Sequence, residues 1–187
     1  MVSSTPKILR HHTSAKSPLV IGIDASSTHI AFVALYGTEF HVTVSKNLGK
    51  SGPEACRNAW ELTLKMIGDL EKWAGNAGTA PHAFYELPVL GRGGFRSTIV
   101  QCFTSGAVQG ALYERKCPTY PVNVSSWKKA VVGKGNADKG QVGEFLRHRW
   151  GALYSAASGN QDVYDAACIA LYGRQFLESR MAEDISL

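Results

Sequence analysis

Four acidic residues stand where a carboxylate is costly unless it does chemistry. Asp24 ends the apolar run Leu19–Asp24 (LVIGID), and Glu86 follows Ala83-Phe84-Tyr85 in the run His82–Leu87 (HAFYEL). A charged side chain at the end of a buried strand is stable only at an open strand mouth or beside cations. Asp162 and Asp165 are three apart, so on a helix they share one face. Two carboxylates one turn apart repel each other, and a cation between them removes the conflict. Hard divalent ions such as Mg2+ or Mn2+ prefer oxygen ligands of this kind. With two ions about 3.5–4 Å apart, one activates water and the other steadies the leaving oxygen of a phosphodiester. Each acid also has a plainer reading: Asp24 as a strand-end turn residue, Glu86 as a surface acid, the Asp162/Asp165 pair as helix acids facing the macrodipole. All four together, in this chain order, point to a hydrolytic metal site.

The cations that would meet a phosphate lie mostly in one stretch. From Pro88 to Trp150 there are ten Lys/Arg against three acids, a net +7, whereas the whole chain of 187 residues carries only +5. That concentration suits a polyanionic partner. Arg92, Gly93, Gly94, Phe95 and Arg96 combine cations, backbone freedom and one ring, a means of gripping or stacking on an unpaired base. Gly133-Lys134-Gly135 has the wrong order for a nucleotide phosphate loop: no Gly-Lys-Ser/Thr follows, and Asp138 occupies the last place of a GxGxxG pattern. It reads as a basic turn touching phosphates through Lys134 and backbone N–H groups, and no nucleotide cofactor is expected.

These residues need elements to position them. Ile30–Tyr36 and Phe40–Ser45 read as two strands after the first, joined by short turns into an antiparallel meander. Ser51-Gly52-Pro53-Glu54 opens a helix to about Trp73, with Trp60, Leu64, Ile67 and Leu70 or Glu71 spaced for one face. His82–Leu87 is a fourth strand. Arg96–Lys116 is a helix whose Ser105, Gly106, Ala107 and Gly110 allow close packing on a sheet. Thr119–Val124 is a last strand, and Ser125 or Ser126 caps a brief helix through Val131. Lys139–Trp150 and Asp162–Arg180 are helices. The order is βββαβαβα, with residues 1–18 a disordered basic arm, 19–180 one α/β domain and 181–187 a tail. Phe84, Tyr85, Phe103, Tyr164 and Phe176 are expected in the core. Trp60, Trp73, Trp127 and Trp150 are expected in the core or at a dimer interface.

The strand-acid segments IGIDASST and FYELP, the helix DVYDAACIALYG and the stretch KKAVVGKGNADKGQV (Lys128–Val142) resemble the motifs of RuvC-type Holliday junction resolvases. The resemblance covers about Val20 to Arg174. It implies a ribonuclease H-like fold: a five-stranded mixed sheet, three strands antiparallel and two parallel, with helices on both faces. It also implies a homodimer, two divalent ions (Mg2+ or Mn2+) per site and paired nicks of opposed strands at a four-way DNA junction. Carried over position by position, Asp24, Glu86, Asp162 and Asp165 match the catalytic, metal-holding carboxylates. Lys128 and Lys139 match two lysines near the scissile phosphate and junction backbone, Lys139 with a catalytic role. Lys129, Lys134, Arg92, Arg96 and Phe95 are further candidates for DNA contact. After Glu86 the chain departs from the family pattern, with LPVLGRGGFRS in place of a short run carrying a stacking aromatic, and Phe95 stands as its replacement. The divergent loops and basic arm point to a phage-encoded version.

Composition bounds the alternatives. An apolar content of 44% fits a packed domain, and the chain is long enough for one α/β domain. No apolar run approaches the ~18 residues that span a bilayer, and no signal-peptide core is present, so a cytoplasmic protein without a membrane partner is expected. The cysteines at 56, 102, 117 and 168 have no metal-clip spacing and read as reduced thiols. A broader fork or flap nuclease would use the same residues. A non-catalytic junction binder would gain nothing from acids beside phosphates. Sugar kinases and actin-like ATPases share a strand-Asp with small residues, but need two such domains and about twice this length.

Overall fold

The computed structural model describes residues 17–46, 48–49, 52–75, 80–88 and 94–185. Five strands form one sheet: β1 (Val20–Ala25), β2 (His29–Tyr36), β3 (Glu39–Lys46), β4 (His82–Glu86) and β5 (Thr119–Val122), in the order β3-β2-β1-β4-β5. β1, β2 and β3 pair antiparallel, while β4 runs parallel to β1 and β5 parallel to β4. The mixed sheet is the one expected from the sequence. The helices are α1 (Gly52–Trp73), α2 (Gly94–Glu114), α3 (Val124–Trp127), α4 (Lys139–Arg149), α5 (Gly151–Ala157) and α6 (Gln161–Ile185), with a π-helical turn at Lys128–Val132 directly after α3.

Strand alternation divides the core in two. Successive β2 residues fall on opposite faces: Ile30, Phe32 and Ala34 pack with α1 and α2, and Ala31, Val33 and Leu35 pack with the helices after β5. β2 is apolar on both sides because both sides are covered, hence its unbroken hydrophobic run. β1 alternates in the same way, Ile21 and Ile23 toward α1 and α2, Val20 toward α6. Gly22 also faces α6, where a Cβ would run into the backbone of Ala166 and Ala170. The first strand therefore carries glycine at its closest approach to a helix. Gly173 plays the reciprocal part on α6, where a Cβ would collide with the Phe84 ring of β4.

The helix boundaries and faces differ in places from the sequence reading. α1 turns Ala55, Ala59, Thr63, Met66, Ile67 and Leu70 inward, and Trp60 is 37% exposed. The small alanines let the helix lie close to its neighbours, which leaves the bulky Trp60 at the rim. In α2 the buried side is Thr104, Ser105, Val108, Ala111 and Leu112. Gly106 and Gly110 face open space instead of the sheet, and Phe103 is 59% exposed rather than in the core. α2 is apolar on two sides, and hydrophobicity alone does not say which one meets the sheet. Asn123, not Ser125 or Ser126, is the residue before α3. α5 has no counterpart among the expected elements, and α6 continues past Arg180. Residues 1–16 of the expected basic arm lie outside the described residues.

Replacing Gly22 by alanine should force α6 off the sheet and destabilise the chain by about 3 kcal/mol, the upper range for overpacking. In a domain of this size that corresponds to a melting temperature roughly 6–12 °C lower. A thermal melt unchanged by Gly22→Ala would show that α6 does not sit directly on β1.

Candidate active site

Asp24 and Glu86 come together through strand register. β1 and β4 pair in parallel through Ile23 and Tyr85, and the two acids are the next residues along. Neighbouring strands lie about 4.8 Å apart, and residues level with each other point to the same face. Ile23 and Tyr85 face α1 and α2, so Asp24 and Glu86 face the side covered by α6. Beyond Gly22, the chain of β1 runs toward the N-terminal turn of α6. That turn is fixed by Asn160, whose Oδ1 accepts the backbone N–H groups of Asp162 (3.0 Å) and Val163 (3.4 Å). Such a cap satisfies amides that helix ends leave unpaired. It holds Asp162 and Asp165 at the mouth of the two strands.

Asp24 feels the other three carboxylates. Burial, then Glu86, Asp165 and Asp162, hold the Asp24 carboxyl well above its ordinary range, and Lys139 opposes the shift. Glu86 is pushed up by burial and by Asp165, against a hydrogen bond from Trp127 and the charge of Lys128. Asp165 is pushed up by burial and by Asp162, while Gln161, Lys128 and Lys139 pull it down. The acids are thus brought into one electrostatic site with two lysines beside it.

The lysines are set by local structure as well. Asp138 caps α4 with a reciprocal pair: its side chain accepts the Gln141 N–H at 2.9 Å, and its own N–H donates to Gln141 Oε1 at 3.1 Å. This capping box makes Lys139 the first residue of α4 and leaves it exposed at the site. Lys128 opens the π-helical turn, is half-buried, and donates from Nζ to the Ala137 carbonyl at 2.8 Å. Lys129 and Lys134 are exposed, Lys134 in the turn after Gly133, whose φ is +89°. Phe95 is 77% exposed at the start of α2. Arg92 lies outside the described residues, as does the side chain of Arg96.

Two contacts have no forerunner in the sequence reading. The Trp127 indole Nε1 donates to Glu86 Oε2 at 2.8 Å, and Gln161 Nε2 donates to Asp165 Oδ1 at 3.3 Å. Trp127 carries no sequence signal beyond being a large apolar residue, whereas Asn160 could have been found from the preference of asparagine for helix caps. Among the described residues, no three or more His, Cys, Asp or Glu side chains are grouped closely enough to hold a metal ion as they stand. The donor set is nonetheless all oxygen, partly enclosed and short of positive charge, which fits hard divalent cations.

No family model matches the chain, and no curated protein does. Solved structures do. The chain is similar to Thermus thermophilus RuvC, with a TM-score of 0.66 and 22% identity, over 88% of this chain and 96% of that one. It is similar to the same extent, at 20% identity, to T. thermophilus RuvC in complex with a Holliday junction substrate. The chain therefore shares with that protein a ribonuclease H-like α/β fold.

Raised carboxyl pKa values mean that the metal-free folded chain binds more protons than the unfolded chain above the ordinary carboxylate range of about pH 4. The contribution of these groups to stability is complete below that range and is lost as pH rises through the raised folded values. In EDTA, Asp24→Asn should therefore melt higher than wild type by roughly 2–4 °C per kcal/mol relieved. The gain should grow from pH 4 to pH 8, and Mg2+ should narrow it by stabilising wild type. Equal melting of the two proteins across that range would refute the crowding of charge at Asp24.

Proposed function

We propose that this protein is a metal-dependent endonuclease that resolves four-way DNA junctions by paired nicks of opposed strands. The observation that carries the proposal is the placement of Asp24 and Glu86 at the level ends of the paired strands β1 and β4, facing the start of α6 that bears Asp162 and Asp165. The fold shared with a protein solved on a Holliday junction supports it, as does the net +7 from Pro88 to Trp150. The four carboxylates would hold two Mg2+ or Mn2+ ions, which supply charge neutralisation and an activated water for hydrolysis of the phosphodiester. The protein's own share is orientation. Glu86 and Asp24 are fixed by the strands, Asp162 and Asp165 by the Asn160 cap. Lys139, at the exposed start of α4, steadies charge that develops on the phosphate. Lys128, Lys129 and Lys134 hold the DNA backbone near the site, Phe95 meets the junction from the start of α2, and Arg92 and Arg96 are further candidates for DNA contact.

Paired nicks need two active sites, so the working unit is a homodimer. α2 carries a face suited to a second copy: Phe95, Ile99, Phe103 and Tyr113 are exposed along one stripe, with Gly106 and Gly110 open between them. Large exposed apolar patches on soluble domains mark interaction sites, and the glycines permit close approach of another helix. The reading places this action in the cytoplasm of a host cell; no described helix is long and apolar enough to cross a membrane. The same site would also serve cleavage of forks or flaps, since junction geometry rather than sequence would be read.

On a synthetic four-way junction with Mg2+, wild type should yield nicked duplexes that can be religated. Asp24→Asn should bind the junction but cut it at least roughly 10³-fold more slowly, the loss of one group acting in the transition state. Equal cutting by both proteins would remove the assigned site. Faster cutting of forks and flaps than of junctions would redirect the substrate. Phe103→Asp should convert a dimer to a monomer in light scattering and replace paired by single nicks. A dimer unaffected by that charge would place the interface elsewhere.

A further inference from the structure

Glu86 is the last residue of β4, and its backbone is fixed by pairing with Val122 of β5 and by the bond from the Leu87 N–H to the Val122 carbonyl at 2.9 Å. What the sheet does not fix is the side chain. A glutamate left to itself populates many rotamers, and ordering it costs conformational entropy. The chain supplies a partner by a short return. From Val122 it passes to Asn123 and at once into α3, where the N–H groups of Ser126 and Trp127 both bond the Asn123 carbonyl. One helical turn thus carries Trp127 back over the strand end.

Trp127 is fully buried, in the same apolar cluster as Val122, Val131 and Ala137. Its ring has a single polar atom, and that atom is the one at 2.8 Å from Glu86 Oε2. A buried indole N–H needs an acceptor, but a backbone carbonyl would have been enough. Here the acceptor is a charged group of the acidic site, and bonds of that kind are the stronger ones. A carboxylate offers about four lone-pair positions. The indole takes one, and the others stay available for a cation. The next residue, Lys128, ties the strand end to the basic turn through its 2.8 Å bond to the Ala137 carbonyl.

We infer that Trp127 is a positioning residue that orients Glu86 for divalent metal binding through the indole N–H. The inference rests on the nuclease reading above only for the purpose the metal serves. Partners that orient a metal ligand typically govern affinity by about 10–100-fold. A merely structural Trp127 would fill the core and nothing more, and phenylalanine would replace it in that role.

The test uses the full chain without DNA, with Mn2+ as the probe and free Mn2+ read by electron paramagnetic resonance. Trp127→Phe should keep the wild-type circular dichroism and weaken Mn2+ binding roughly 10-fold or more. Glu86→Gln should weaken it too, and adding Trp127→Phe to Glu86→Gln should produce no further loss, because the two act through one contact. In ¹⁵N-labelled protein, one of the four indole N–H signals should vanish in Trp127→Phe. The same signal should shift in Glu86→Gln and move on addition of Mg2+. This measurement stands even if Trp127→Phe does not fold. Wild-type Mn2+ affinity in Trp127→Phe, additive losses in the double variant, or an indole signal indifferent to Glu86→Gln would each overturn the inference and leave junction cutting to be judged separately. Weakened Mn2+ binding in a protein that cuts no junction would uphold the role of Trp127 and sink the nuclease reading.

Discussion

Like charges confined in a partly enclosed space repel more strongly than in water, because the surroundings screen them less. The fold brings Asp24, Glu86, Asp162 and Asp165 into such a space; burial is the largest cause of the raised pKa at Asp24, Glu86 and Asp165, and acidic neighbours come next at Asp24, while at Glu86 and Asp165 a hydrogen bond opposes the rise more strongly than the neighbouring acid adds to it. The repulsion has to be borne by something stiff. β1 and β4 lie side by side in the middle of the sheet, covered on both faces, and α6 is pressed onto β1 closely enough that only glycine fits at position 22. Packing that close leaves the acids little room to move apart. The rest of the site can be understood as a partial answer to the same problem. Trp127 and Gln161 donate hydrogen bonds to two of the carboxylates, and Lys128 and Lys139 supply opposing charge from two further elements.

The lysines offset the repulsion unevenly: at Asp24 the charge of Lys139 is the smallest of the influences, whereas at Asp165 Lys128 and Lys139 each outweigh the repulsion from Asp162. Lys128 shares its ammonium with the Ala137 carbonyl, and Lys139 is exposed to water at the start of α4, where its field is weakened by solvent. Both lie on the segment between β5 and α6 that also bears Lys129 and Lys134. One stretch of chain therefore serves two purposes: it counters the acids from one side and presents cations outward. The capping box at Asp138 and Gln141 and the bond from Lys128 join these roles, because the turn between them cannot shift without moving both lysines.

Much of this arrangement is legible in the amino-acid sequence. The meander shows in its alternation and short turns, and the acids stand out because Asp24 and Glu86 each end an apolar run in charge. Their convergence is a matter of topology and follows from the family resemblance rather than from spacing. What stays hidden has a common physical character. The inward face of α1 is chosen by Ala55 and Ala59, which allow close approach, and not by Trp60, the residue with most to bury. α2 has apolar residues on both sides, so periodicity cannot tell Val108 and Leu112 from Phe103. The bond from Trp127 to Glu86 joins residues 41 apart in sequence, and a buried tryptophan looks the same in a sequence whether its N–H meets a carbonyl or a carboxylate of the candidate site.

The same electrostatics separates an enzyme from a simple DNA-binding domain. A surface that gains affinity by neutralising phosphates is weakened by every carboxylate placed beside them. This chain places four there, anchors two through strand register and two through a dedicated helix cap, and gives one of them a buried indole as partner. Arrangements that fix acids so firmly raise no affinity for DNA and lower the stability of the metal-free fold. They make physical sense if that loss is offset when cations enter, at which point repulsion between the acids becomes attraction to a shared charge. Under the proposed function, the acidic site and the basic stretch around it would be two halves of one device for bringing divalent ions and a phosphodiester together.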